Sequence, residues 1–157
     1  MAIAGVSTLG ITLSYGVESV AGQKPSAFKL LNRINSIGGI TIEPETIDAS
    51  ALEDLVERSV AGRGTTGGTF PVSINVTDET ITEWDALIEE YNEKDTTKRM
   101  WFQISSPYLT NAYFIAGQPP QEIPMPDFGQ NELLVAELPI TIDEYVGMSA
   151  KVAPTAA

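Results

Sequence analysis

Leu9, Ile11, Leu13, Tyr15 and Val17 alternate with Thr8, Gly10, Thr12, Ser14 and Gly16. Strict period two puts one face of residues 8–17 against a core, so a β-strand is predicted there. Residues 18–26 read as a loop. Residues 28–34 and 37–42 are predicted strands, broken by Gly38-Gly39 and ended before Pro44. Phe70, Val72, Ile74 and Val76 alternate with Pro71, Ser73, Asn75 and Thr77. Pro71 has no N–H, so this strand starts at an edge or leaves that position unpaired. Residues 100–105 and 112–117 follow the same logic. Leu134, Ala136, Leu138, Ile140 and Ile142 form one face of a last long strand, with Glu137, Thr141 and Asp143 opposite.

One segment changes period. Ile81, Trp84, Leu87, Ile88 and Tyr91 recur at helical spacing, with Glu83, Asp85, Glu89 and Glu90 on the other side. Thr80 with Glu83 fits a capping box. Ser50 with Glu53 is a second match, and Gly62 is placed as a stop, so a short helix is predicted over residues 51–61. The sum is a mainly β fold, sandwich or barrel-like, with one flanking α-helix. Residues 1–146 form the domain, and residues 147–157, ending Ala153-Pro154-Thr155-Ala156-Ala157, are expected to be a flexible tail.

Composition narrows the chemistry. A chain of 157 residues can bury roughly 68–70% of its unfolded surface in one core. It contains no cysteine and no histidine, which removes disulfides, thiolate sites and the commonest general base and metal ligand. No catalytic, cofactor or metal site is expected. The start, Met1-Ala2-Ile3-Ala4-Gly5-Val6, has no basic segment, and no apolar run is long enough to span a membrane. Folding in the cytoplasm without membrane insertion is the expectation. A net charge of −12 disfavours tight DNA binding, which needs a basic face.

Several motifs tempt. Gly62-Arg63-Gly64-Thr65-Thr66-Gly67 matches a dinucleotide fingerprint, but the strand at 70–76 follows where a helix must open. A glycine-rich turn is the better reading. Asp127-Phe128-Gly129 spells a kinase triplet, yet no lysine lies between Gly68 and Glu93 and no catalytic-loop histidine exists. The acids Glu53, Asp54 and Glu57, and the pair Glu89 and Glu90, lack calcium-loop spacing and read as solvated faces. Trp84 and Trp101 sit where a core needs bulk. The run Gln118-Pro119-Pro120-Gln121-Glu122-Ile123-Pro124-Met125-Pro126 reads as a rigid connector, with partner docking as the other option.

The order of these pieces resembles one family. Residues 8–18, the run Ile34-Asn35-Ser36-Ile37-Gly38-Gly39 and residues 45–54 are similar to the tail tube proteins of long-tailed phages and prophages. Ala61-Gly62-Arg63, Gly67-Gly68, Thr80 to Trp84, Met100-Trp101-Phe102, Gln118 to Gln121 and Gln130 to Leu133 continue the match, over about residues 5–146. The resemblance implies a homo-oligomer of hexameric rings stacked into a hollow tube. Its partners would be a tape-measure protein in the lumen and the distal tail and tail terminator proteins. Genomic DNA would pass through unbound, and the protein would reside in the virion tail after assembly in the host cytoplasm. Inner tubes of contractile devices, such as phage-like bacteriocins and type VI secretion systems, share the fold. A monomeric ligand-binding β-sandwich is the alternative of another class. The resemblance also implies that residues 43–68 reach towards the adjacent ring, making Ile47, Asp48, Leu52, Leu55, Arg58 and Arg63 the candidate contact residues.

Physics favours such an assembly. Long alternating strands leave open edges that invite pairing, and ring closure uses them up. Acids facing the bore would repel phosphates within about one Debye length, ~8–10 Å, and let a duplex slide.

Overall fold

The computed structural model describes residue 5 and residues 7–40, 43–53, 55–65 and 68–155. Nine strands and one helix follow one another along the chain among these residues. The early strands are β1 (Thr12–Val17), β2 (Lys29–Leu31), β3 (Ile34–Ile37), β4 (Glu43–Asp48), β5 (Ser59–Thr65) and β6 (Thr69–Asn75). Helix α1 (Asp78–Glu93) then precedes β7 (Met100–Ser105), β8 (Asn111–Gln118) and β9 (Val135–Ala150). Seven strands make one antiparallel sheet in the order β2-β1-β7-β8-β9-β6-β3, while β4 and β5 pair only with each other.

The sheet cannot be flat. β2 and β3 lie at its opposite borders, yet only Asn32 and Arg33 join them. Six spacings of about 4.8 Å would set the borders of a flat sheet about 29 Å apart. The link spans at most about 10 Å. The sheet therefore curls until its borders meet at this corner. Arg33 makes the turn with φ 57°, and its carbonyl accepts from Asn75 N at 3.0 Å. The result is a mainly β, barrel-like fold with one flanking helix, as the alternation predicts.

Alternation decides what fills it. Leu13, Tyr15, Phe70, Val72, Ile74, Met100, Phe102, Ile115, Leu138 and Ile140 point into one core, which Trp84, Leu87 and Ile88 of α1 close. The opposite face is also buried where β7 and β8 run: Phe28, Trp101, Ala112, Phe114 and Ala116 form a second cluster. Both tryptophans are therefore core residues, as their positions suggested.

Several boundaries differ from the pattern reading. Residues 8–10 turn rather than extend, with Gly10 at φ 81°, so β1 begins at Thr12. Residues 38–40 are not strand, residues 41–42 lie outside the described residues, and Pro44 sits inside β4. The helix begins earlier than Thr80: Thr77 is its N-cap and Thr80 the reciprocal partner, Thr77 N donating to Thr80 Oγ1 at 2.8 Å and Thr80 N to Thr77 Oγ1 at 3.2 Å. Glu83 is thereby released to accept from Asn32 N and Nδ2 at 3.0 and 2.6 Å, tying the helix to the corner.

The largest correction lies at the C-terminal end. β9 continues through Gly147 to Ala150, bending from β6 as partner up to Thr141 to β8 as partner beyond it. Residues 151–155 are then tied down instead of trailing. Val152 N donates to Gln103 Oε1 at 2.9 Å and Gln103 Nε2 donates to Val152 O at 2.8 Å. Thr155 N donates to Phe28 O and Leu30 N to Thr155 O, at 2.9 and 2.8 Å. The expected flexible tail from Gly147 is thus ordered strand and strap as far as Thr155; residues 156–157 lie outside the described residues.

Candidate interaction surface

The chain's most conspicuous surface is a projecting two-stranded arm, β4 with β5. Ile47 opposes Val60 and Asp48 opposes Ser59, and the register shifts between Pro44 and Thr46. The connecting loop is tied at its base by local polar chemistry. Ser50 N donates to Asp48 Oδ1 at 2.9 Å, Arg58 N to Ser50 Oγ at 2.7 Å and Ala49 N to Arg58 O at 2.9 Å. The bonds from Ser50 hold the Asp48 carboxyl below the usual carboxylate range.

The described residues of 51–61 form no helix, contrary to the capping-box reading. Ser50 Oγ, the candidate cap, is taken by Arg58, and Leu52, Leu55 and Val56 have no surface to pack on. A helix of that length without tertiary packing is marginal. The glycine run is corrected too: Gly62, Arg63, Gly64 and Thr65 belong to β5 rather than to a turn, and Thr66 and Gly67 lie outside the described residues.

The six residues singled out from sequence therefore share this arm. Ile47 and Asp48 lie in β4, Leu52, Leu55 and Arg58 in the loop, and Arg63 in β5. Leu52 and Leu55 are fully exposed, and Ile47, Val56 and Val60 are more than half exposed. Val56 and Val60 were not singled out. The signal for them was present, since they are apolar residues in an otherwise polar, glycine-rich stretch.

A free two-stranded hairpin is marginal at best in water, and exposed apolar residues gathered at one place mark an interaction site. Burying one leucine or valine against a partner contributes about 1.5–3 kcal/mol. The arm is thus a poor element of an isolated subunit and a good element of a contact.

Two further features lie outside the arm. A cleft of about 600 Å³ is lined by Ile11, Ile34, Ile37, Ile40, Tyr113 and Tyr145 among others, with Gly38 and Gly39 in its wall. Beyond Thr141, the side of β9 turned away from β8 has no strand partner among the described residues. That border has no strand partner over residues 143–149 among the described residues, while Ala150 O accepts from the Lys24 ammonium. Among the described residues, no helix is long and apolar enough to cross a membrane.

No family model and no curated protein matches the chain. Among solved structures it is similar to a chain in a cryo-EM structure of the anti-feeding prophage baseplate, six-fold symmetrised. The TM-score is 0.54 at 13% sequence identity, over 95% of this chain and 96% of that one. At that identity the likeness is one of fold, and it runs nearly end to end in both chains.

Proposed function

We propose that the chain is a structural subunit of a phage-type tail tube, in which six copies close a ring and rings stack into a hollow conduit for DNA. The observation that carries this reading is the arm: a self-paired hairpin that presents Ile47, Leu52, Leu55, Val56 and Val60 to solvent and, among the described residues, joins no other sheet. An arm of this kind is stabilised when an adjacent copy covers it. The fold it shares with a chain of a six-fold symmetrised prophage assembly agrees with six copies per ring. The role is one of assembly rather than catalysis. In this reading the lumen holds a tape-measure protein while the tube grows in the host cytoplasm, and distal tail and terminator proteins cap its ends in the virion. A net charge of −12 suits a bore that repels phosphates.

A second reading, an inner-tube subunit of a contractile injection device, draws on the same likeness, because that structure is titled a prophage baseplate. The two differ in whether a sheath surrounds the tube in particles purified from the producing cell.

The test is a double substitution, Leu52→Asp with Leu55→Asp. Both side chains bury nothing within the subunit, so its stability should change by less than about 0.5 kcal/mol. Stacking into tubes should be lost. Tubes of normal length from the double variant, seen by negative-stain microscopy, would remove the arm from the contact.

A further inference from the structure

The first core does not stop at the barrel's surface. Ile34, Ile37, Ile40, Ile104 and Tyr145 pack against it while keeping part of their own surface outside. With Ile11 and Tyr113, each 37% exposed, they line the cleft of about 600 Å³. That volume is within the range of sites that take a partner group. Among the described residues, no charged side chain lines it, so it suits an apolar occupant rather than an ion.

Two groups of exposed apolar side chains are candidates to fill it. Leu52, Leu55 and Val56 stand in the loop at the arm's end, and Met125, Phe128 and Leu133 in the connector between β8 and β9. Reach separates them. Residues 124–127 lie against Ser73 of β6 and Val135 and Glu137 of β9, so the connector is seated on the body. A seated segment enters a concave site on another molecule only by driving the two bodies together. The arm projects instead. It pairs with no other strand among the described residues, and five steps of about 3.4 Å carry Asp48 about 17 Å beyond Glu43.

Leu52 and Leu55 are fully exposed, so the arm's end does not occupy its own chain's cleft. Ile40 in the cleft wall precedes Glu43 by three residues, at most about 11 Å of chain. The socket therefore lies near the arm's root and the apolar knob at its far end. Knob and socket are different surfaces, so a contact between them is heterologous and repeats from copy to copy.

We propose that the cleft at Ile37 and Tyr113 is the socket for the arm of a second copy, which inserts Leu52, Leu55 and Val56. This rests on the tube-assembly reading and names the surface that receives the arm. Burying one such side chain strengthens a contact roughly ten- to hundredfold. Three of them barely outweigh the freedom that two molecules lose on associating. One arm in one cleft is a weak bond, and it holds where many form together.

The chain has no cysteine, so introduced thiols report this contact alone. Leu55→Cys with Tyr113→Cys, assembled and treated with a mild oxidant, should give a ladder of covalently joined chains on a denaturing gel, erased by reductant. Neither single variant should pass the dimer. Normal tubes without a ladder overturn the socket and leave the tube reading standing. A disulfide closed within one chain does the same, because the arm then folds back on its own cleft. A ladder from Phe128→Cys with Tyr113→Cys, and none from the first pair, gives the cleft to the connector and equally overturns the proposal. Failure of the wild type to form rings or tubes removes both readings. Tyr113→Ser gives an independent measurement, because it strips an apolar ring from the socket at a position already 37% exposed. With the fold confirmed by circular dichroism, it should raise the protein concentration needed for tube growth about tenfold or more. An unchanged threshold overturns the proposal.

Discussion

Glu18 follows β1 directly, and its side chain is fully buried, an uncommon place for a carboxylate. It accepts from Arg99 N at 2.6 Å, from Trp101 Nε1 at 3.0 Å and from the Arg99 guanidinium at 3.5 Å. Burial pushes its pKa up, but the backbone bonds from Arg99 and Gly22, with Trp101 and the Arg99 charge, outweigh it and hold the carboxyl below the usual range. Glu18→Gln keeps the shape and one acceptor while turning an amide N–H₂ towards these donors. One buried donor left unsatisfied costs about 1–3 kcal/mol. Loss of the charge adds little through Arg99, which is 31% exposed and keeps Glu144. A loss of about 2–3 kcal/mol follows, or roughly 5–10 °C in Tm for a domain of this size. Because the folded-state pKa is depressed, the carboxylate's contribution is complete above the ordinary carboxylate range and disappears as pH falls through the folded value. The gap between wild type and Glu18→Gln should therefore narrow in acid. Thermal unfolding by circular dichroism at neutral and acid pH measures both. A neutral-pH difference under about 0.5 kcal/mol, or a gap that widens in acid, would refute the reasoning.

Three further outcomes follow from close packing and burial. A Cβ on Gly16 would lie 2.3 Å from Ala27 O, so Gly16→Ala should destabilise by about 1–3 kcal/mol in urea. Gly39, with nothing within 4 Å, should accept alanine with a change below about 0.5 kcal/mol. Burial, then the charge of Glu90 and its hydrogen bond, push the Tyr15 hydroxyl up to about 12. An acid whose folded pKa is raised favours the protonated fold, so stability should fall as pH climbs past the unfolded tyrosine value of about 10. Ultraviolet titration of phenolate should lose its last step in Tyr15→Phe; an unaltered curve would contradict the burial.

The sequence was most legible where period and burial coincide. Phe70 to Ile74 alternate because one face meets the core, so pattern and packing carry the same information. It was least legible where tertiary contacts decide. Ser50 with Glu53 looks like a helix start, yet the hydroxyl serves Arg58 and the leucines after it find no core. Glu83 looks like the far half of a capping box, yet it reaches Asn32 across the fold, 51 positions away. Beyond Ile142 the apolar pattern lapses, so β9 seemed to end. Its second half is held by pairing with β8 and relieved by register shifts, and Gly147 takes φ 94°. Period two cannot see a bulge. The arm was found by resemblance, through Ile47, Leu52 and Leu55, while its strand conformation was not.

The central claim is that copies of this chain complete one another. Class averages of the purified protein by electron microscopy, at high concentration and alongside its distal tail partners, test it most directly. Six-fold rings, alone or stacked into tubes, are the predicted result. A strictly monomeric particle under both conditions would contradict it.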